Sequence, residues 1–244
     1  SPSEQGWQNI TVPGNWEVQG FGTAIYTNHG YEFQPLNPKP PQLPENTPVG
    51  VYRRTITVPE DWNGRDIYLH IAGAKSGCYV YLNGKEVGYN EDSKNPAEYL
   101  VNDWLKPGEN VLTLKIFRWS TGSYLECQDM FRMSGIFRDV YLYNTPLVSV
   151  RDHYITSRLD ASADYRQGEM QVELTLDNRG RLKGEKELVV RLSDPSGKVV
   201  AETEQTVRFS ERETTCKVKT DFRVKNLSLW TAETPNLYTV SVIQ

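Results

Sequence analysis

Apolar and polar residues alternate in short runs along this chain, the two-residue period of strands that bury one face. Residues 51–58 (VYRRTITV), 66–71 (DIYLHI), 78–82 (CYVYL) and 85–89 (KEVGY) all read this way. Asn83-Gly84, between the last two runs, is a strong signal for a two-residue hairpin turn. Residues 99–104 (YLVNDW) predict a short turn or strand, and Pro107-Gly108 a turn before residues 111–117 (VLTLKIF). In that run Leu112, Leu114 and Ile116 share a face. Residues 136–143 (IFRDVYLY) predict a further strand with Ile136, Val140 and Leu142 on the same face as Arg138. A second series follows at 150–157, 169–177, 186–193, 199–207, 214–224 and 238–242. Asp194-Pro195-Ser196-Gly197 is a turn within it, and the charged stretch 177–187 reads as a solvated hairpin tip. Short strands, regular turns and almost no helical period make this an all-β protein built as sandwiches.

The aromatic-rich composition ends at Asn144-Thr145-Pro146, which divides the chain into a domain of residues 1–146 and a second of 147–244. The total of 244 residues suffices for two cores. Residues 1 to 48 break the strand pattern. Pro35, Pro38, Pro40, Pro41, Pro44 and Pro48 exclude helix and central strand. Trp16, Phe21, Ile25, Tyr26, Tyr31 and Phe33 nevertheless need burial, so this is an arm packed on its own domain or on a neighbouring subunit rather than a solvated linker.

A net charge of −4 argues against a nucleic-acid partner, because there is no basic excess to displace counterions. No run of about 18 apolar residues predicts a membrane span, and the start of the chain lacks the basic-then-apolar pattern of a signal peptide. A soluble protein of cytoplasm or periplasm is expected. Cys78, Cys127 and Cys216 are widely spaced and form no metal-ligand cluster, so three reduced thiols are expected. His29, His70 and His153 are isolated and read as core or surface residues. No phosphate loop, zinc-protease or serine-hydrolase signature is present.

The segment Arg118 to Val140, RWSTGSYLECQDMFRMSGIFRDV, is long for a connection inside a domain, and such loops are functional or disordered. Trp119, Tyr124, Leu125, Met130, Phe131 and Met133 give it too much apolar surface for disorder. Ordered and rich in Glu126, Gln128, Asp129, Arg132 and Arg138, it is the place to look for a site. Read from these residues alone, Asp129 is an acceptor for Arg132 or Arg138, and both arginines pair with loop carboxylates and carbonyls. Trp119 and Tyr124 have the chemistry to stack on a sugar, although core packing is the commoner fate of such rings.

The same run resembles the end of the N-terminal jelly-roll domain of β-galactosidases in glycoside hydrolase family 2. The resemblance extends in order through VPGNWEVQGFGTAIYTN (12–28), NGKEVGYNEDSKNPAEY (83–99) and LWTAETPNLY (229–238), nearly the whole chain. Glucuronidases and mannosidases are similar only around a shorter GI-x-R motif. The resemblance implies a jelly-roll, sugar-binding β-sandwich followed by an immunoglobulin-like β-sandwich that is incomplete at its C-terminus. It implies that the chain is a fragment, with both catalytic glutamates in a barrel beyond it, so that no residue here is catalytic. By position in QDM, Asp129 would bind the galactosyl group and help hold a sodium ion; magnesium would belong to the parent enzyme. Where the family places an asparagine on the galactose, this chain has Lys75, in the turn Gly73-Ala74-Lys75-Ser76. Lysine donates but cannot accept, so Lys75 is a substrate-binding candidate that puts plain lactose preference in doubt. A galactoside substrate and a homo-oligomeric parent are the expected partners. A stand-alone carbohydrate-binding module, a structural interaction domain, and part of a β-glucuronidase or β-mannosidase are the competing readings.

Overall fold

The structure, a computed structural model, describes residues 6–34, 36–180, 182–210 and 212–244. Pro35 of the arm lies outside them. The chain forms two compact units that meet in sequence between Asn144 and Thr145. Among the described residues the helical elements are only short 3-10 turns.

In the first unit an antiparallel four-stranded sheet runs in the order Val49–Thr57, Glu109–Phe117, Gly77–Leu82, Lys85–Asn90. A second sheet is ordered Val140–Thr145, Asp66–Ile71, Ala97–Leu100. The core between them takes Cys78, Val80, Leu82, Leu112, Leu114 and Ile116 from one and Ile67, Leu69 and Ile71 from the other. Each such apolar side chain contributes about 1.5–3 kcal/mol by leaving water. Alternation is clean in Glu109–Phe117, where every second residue is buried. The polar member of that buried set is Asn110. Its amide accepts from Asn83 Nδ2 (2.8 Å) and Lys106 N (2.9 Å) and donates to the carbonyls of Lys106 and Gly108, so its burial leaves no unmet group. Asn83 and Gly84 have φ of 53° and 77°, the mirror-image turn that the Asn-Gly pair predicts.

The expected strand over 136–143 is broken. Gly135–Ile136 belongs to a small ribbon, residues 137–139 leave it, and Val140–Thr145 joins the second sheet. Arg138 therefore does not share a face with Ile136, Val140 and Leu142; it lies exposed and donates to the carbonyl of Lys94 at 2.7 Å. Alternation in sequence cannot reveal such a change of sheet, because both halves keep their own two-residue period.

The arm packs on its own unit. Trp16 is buried against the strand Val49–Thr57 at Gly50, where a Cβ would fall 2.4 Å from the indole ring. Phe33 is buried as well. Two short strands of the arm are used to order the long loop: Gly14–Asn15 pairs with Gly135–Ile136, and Ile25–Thr27 pairs with Met130–Arg132.

The second unit is a sandwich of two three-stranded sheets. One is ordered Val148–Leu159, Gln167–Asn178, Thr215–Lys225, and the other Val199–Phe209, Gly184–Ser193, Thr239–Ile243. Val172, Leu174, Leu176, Leu188, Val190, Phe209 and Phe222 are among its core residues. This is the immunoglobulin-like architecture without a disulfide, its one cysteine, Cys216, being free. The stretch 177–187 is not a hairpin tip. The strands on either side of it, Gln167–Asn178 and Gly184–Ser193, lie in different sheets. Asn178, fully buried, anchors the end of the first by donating to the carbonyls of Leu182 and Glu213 and accepting from Leu182 N.

Candidate functional site

The loop expected to carry the site is ordered from both ends by backbone pairing. The ribbon Gly14–Asn15, Gly135–Ile136, Ala74–Lys75 brings together the arm, the end of the loop and the turn that holds Lys75, with Lys75 opposite Gly135. Three pieces of chain remote in sequence thus converge.

Two buried arginines tie them. Arg118 donates to the carbonyls of Thr23 (2.8 Å) and Arg132 (3.2 Å) and faces the buried Glu17 carboxylate at 3.6 Å. Glu17 also accepts from Ser134 N at 2.9 Å and from the indole N–H of Trp16. Arg132, only 2% exposed, donates to Thr27 O and pairs with Glu32 at 3.7 Å. Glu32 accepts from Trp119 Nε1 at 3.0 Å and lies 3.9 Å from Cys127 Sγ. Trp119 and Tyr124 pack with Phe33, and Tyr124 also meets Tyr31 edge-on. Their rings bind the arm to the loop.

Glu91 fixes the start of the loop, accepting from Gly122 N (2.6 Å), Tyr89 OH (2.6 Å) and the Thr121 hydroxyl. Partial burial alone would raise its pKa; these hydrogen bonds outweigh it and hold the carboxyl below the ordinary glutamate value. Glu126 accepts from Ser93 N at 2.9 Å, while its Oε2 and the Ser93 hydroxyl are buried without hydrogen-bond partners.

Lys75 is 8% exposed. Burial first, and then the neighbouring charge of Lys94, lower its pKa, whereas Glu126, Cys127 and Glu32 pull the other way. Burial and Glu32 push the Cys127 thiol up, which argues against a reactive thiolate. Asp129 sits at the rim. Its Oδ1 accepts from Tyr26 OH at 2.7 Å, and that bond raises the tyrosine pKa. Tyr26 and Phe131, 57% and 59% exposed, pack together beside it.

The acceptor reading of Asp129 therefore needs a different donor. Its partner is Tyr26 of the arm, since Arg132 is engaged by Glu32 and Arg138 by a carbonyl. Glu32 escaped sequence reasoning because it lies in the proline-rich arm; the signal available was its place between Tyr31 and Phe33, two rings that demanded burial. Among the described residues no group of three or more His, Cys, Asp or Glu is placed to hold a metal. Asp129 is a single carboxylate whose Oδ1 already accepts from Tyr26, so a sodium ion there would need oxygen ligands from other groups. Glu126 and Asp129 turn to unrelated partners, Ser93 and Tyr26.

Two β-sandwiches, the first with a polar cluster built from loop, arm and turn, make this a two-domain all-β protein. Residues 3–146 match the sugar binding domain of glycosyl hydrolases family 2, and residues 148–244 match glycosyl hydrolases family 2. The β-galactosidase of Priestia megaterium is 38% identical over 98% of this chain and 23% of its own length. That of Vibrio cholerae is 37% identical over 96% of this chain and 23% of its own length. A Bacteroides uniformis β-glucuronidase has a similar fold, with a TM-score of 0.78 at 22% identity, over 97% of this chain and 26% of that one. The chain belongs to glycoside hydrolase family 2, and it spans about a quarter of the length of these curated relatives.

Proposed function

We propose that this chain is the non-catalytic, sugar-binding portion of a β-galactosidase that hydrolyses terminal β-galactosides with retention. The observation that carries this is the identity to proteins named β-galactosidase along nearly the entire chain. Retaining hydrolysis needs two carboxyls about 5–5.5 Å apart, one as acid/base and one as nucleophile. Glu126 and Asp129 turn to separate partners, Ser93 and Tyr26, which supports a catalytic pair outside these residues.

In this reading the cluster walls one side of the galactose pocket. Asp129 offers its Oδ2 to a sugar hydroxyl or to a sodium ion, for which a hard oxygen ligand is suited. Lys75 donates to the substrate. Magnesium belongs to the catalytic part, and no residue here is assigned to it. The exposed Tyr26, Phe131 and Leu125 around Asp129 suit contact with that part or with another subunit of a homo-oligomer. No described helix is long and apolar enough to cross a membrane; a cytoplasmic or periplasmic setting is part of the same proposal. A stand-alone binding module is less well supported, because Trp119 and Tyr124 are turned into the arm rather than outward. The β-glucuronidase reading has the shared fold in its favour.

The test is hydrolysis of an aryl β-galactoside by the 244 residues and by the full-length protein that contains them. Activity confined to the longer protein is expected. Activity in the 244 residues alone would place the catalytic carboxylates here and overturn the reading.

A further inference from the structure

The arm does more than cover the first unit, because one of its side chains reaches a candidate substrate group directly. Tyr26 stands in the short strand Ile25–Thr27, with its Cα opposite Phe131 of Met130–Arg132. Its ring packs on that of Phe131 at 5.4 Å between centres, tilted by 57°. The strand is held from behind by Arg132, 2% exposed, which donates to Thr27 O and is paired with Glu32. Anchored in this way, the phenol donates to Asp129 Oδ1 at 2.7 Å. That bond raises the tyrosine pKa, so the proton stays on the phenol at neutral pH.

Asp129 is exposed and directly precedes Met130 of the loop strand. An exposed carboxylate without a partner turns freely about its side-chain bonds. Among the described residues Tyr26 is the donor that stops it: Arg132 is committed to Glu32 and Thr27 O, and Arg138 donates to Lys94 O. With Oδ1 fixed by the phenol, Oδ2 is left as the acceptor for a ligand. A side chain already held in its binding geometry loses less freedom when the ligand arrives. We propose that Tyr26 is a positioning residue, which holds the Asp129 carboxylate with Oδ2 presented to the galactoside. The inference rests on the β-galactosidase reading of Asp129 and adds the arm to the parts that set substrate affinity. Tyr26 acts through Asp129, and its hydroxyl rather than its ring is the group that matters.

The experiment compares the full-length enzyme with its Tyr26→Phe, Asp129→Ala and doubly substituted forms. Tyr26→Phe keeps the ring on Phe131 and removes only the hydroxyl. KM for an aryl β-galactoside and Ki for a non-hydrolysable alkyl β-thiogalactoside are both expected to rise about three- to tenfold, the worth of one hydrogen bond. The melting temperature and kcat should change little. In the Asp129→Ala background the same substitution should move KM and Ki by less than about twofold, because the carboxylate it acts on is gone. A merely structural role for Tyr26 would lower the melting temperature or the active fraction, and with it kcat, and leave KM and Ki where they were. That result, or a rise of equal size in both backgrounds, overturns the proposal and leaves the β-galactosidase reading standing. Failure of the unaltered enzyme to hydrolyse any β-galactoside sinks both.

Discussion

Asp129 and Lys75 show how much a single position can announce before its surroundings are known. Asp129 is a carboxylate in an ordered polar loop, whereas Lys75 is singled out by the resemblance alone, at the position where the family places an asparagine. Their partners were not legible. Tyr26 lies 103 residues from Asp129 in sequence, and Glu32 lies 95 from Cys127. Pairing across such distances follows from the fold, not from spacing. For Asp129 the expected consequence is concrete: Asp129→Ala in the full-length enzyme should lower kcat/KM by at least about tenfold, the scale of losing a group that orients a substrate. It should also blunt any activation by sodium. Steady-state kinetics with and without sodium checks both, and near-normal activity would reduce Asp129 to a partner of Tyr26.

Strands were the most legible elements, because burying one face imposes a period that survives in the sequence. Residues 66–71 match the observed strand, and residues 111–117 miss only the two polar positions at its start. The same period concealed the break at 137–139, since it records which face is buried and not which sheet it faces. The loop of 118–140 was recognised as ordered from its apolar content, but what orders it is the arm, through strand pairing and the Glu32, Phe33 and Trp119 contacts. Glu91 supplies a test at this scale. Its pKa is held below an ordinary glutamate's 4.5, so its contribution is complete above that value and is lost as pH falls through the lower, folded value. Glu91→Gln should therefore make the stability of the first unit less sensitive to acidification in that window. Its cost at neutral pH should be about 1 kcal/mol, reduced by solvent screening from the usual value for a charged hydrogen bond. Urea melts from pH 3 to 7 would show it, and parallel pH curves for both proteins would exclude the role.

At the scale of the molecule, each unit has its own core, and stability follows from each core separately. Leu174→Ala in the second unit should cost about 2–5 kcal/mol through lost burial and the cavity left behind. Amide hydrogen exchange in Gln167–Asn178 and Gly184–Ser193 would report it; unchanged exchange would mean that this core does not hold the unit together. By itself the sequence determined the all-β class, the two-part organisation, the turn chemistry at Asn83-Gly84 and Asp194–Gly197, and that the loop of 118–140 is ordered. These are properties of local conformation and of one-faced burial, which adjacent residues encode. Tertiary structure alone decided that the arm closes on its own unit, that Gln167–Asn178 and Gly184–Ser193 lie in different sheets, and that Lys75 is buried among Glu126, Cys127 and Glu32 rather than solvated. Those outcomes depend on which distant surfaces meet, and hydrophobic burial, being non-directional, leaves that choice to the packing of the whole unit.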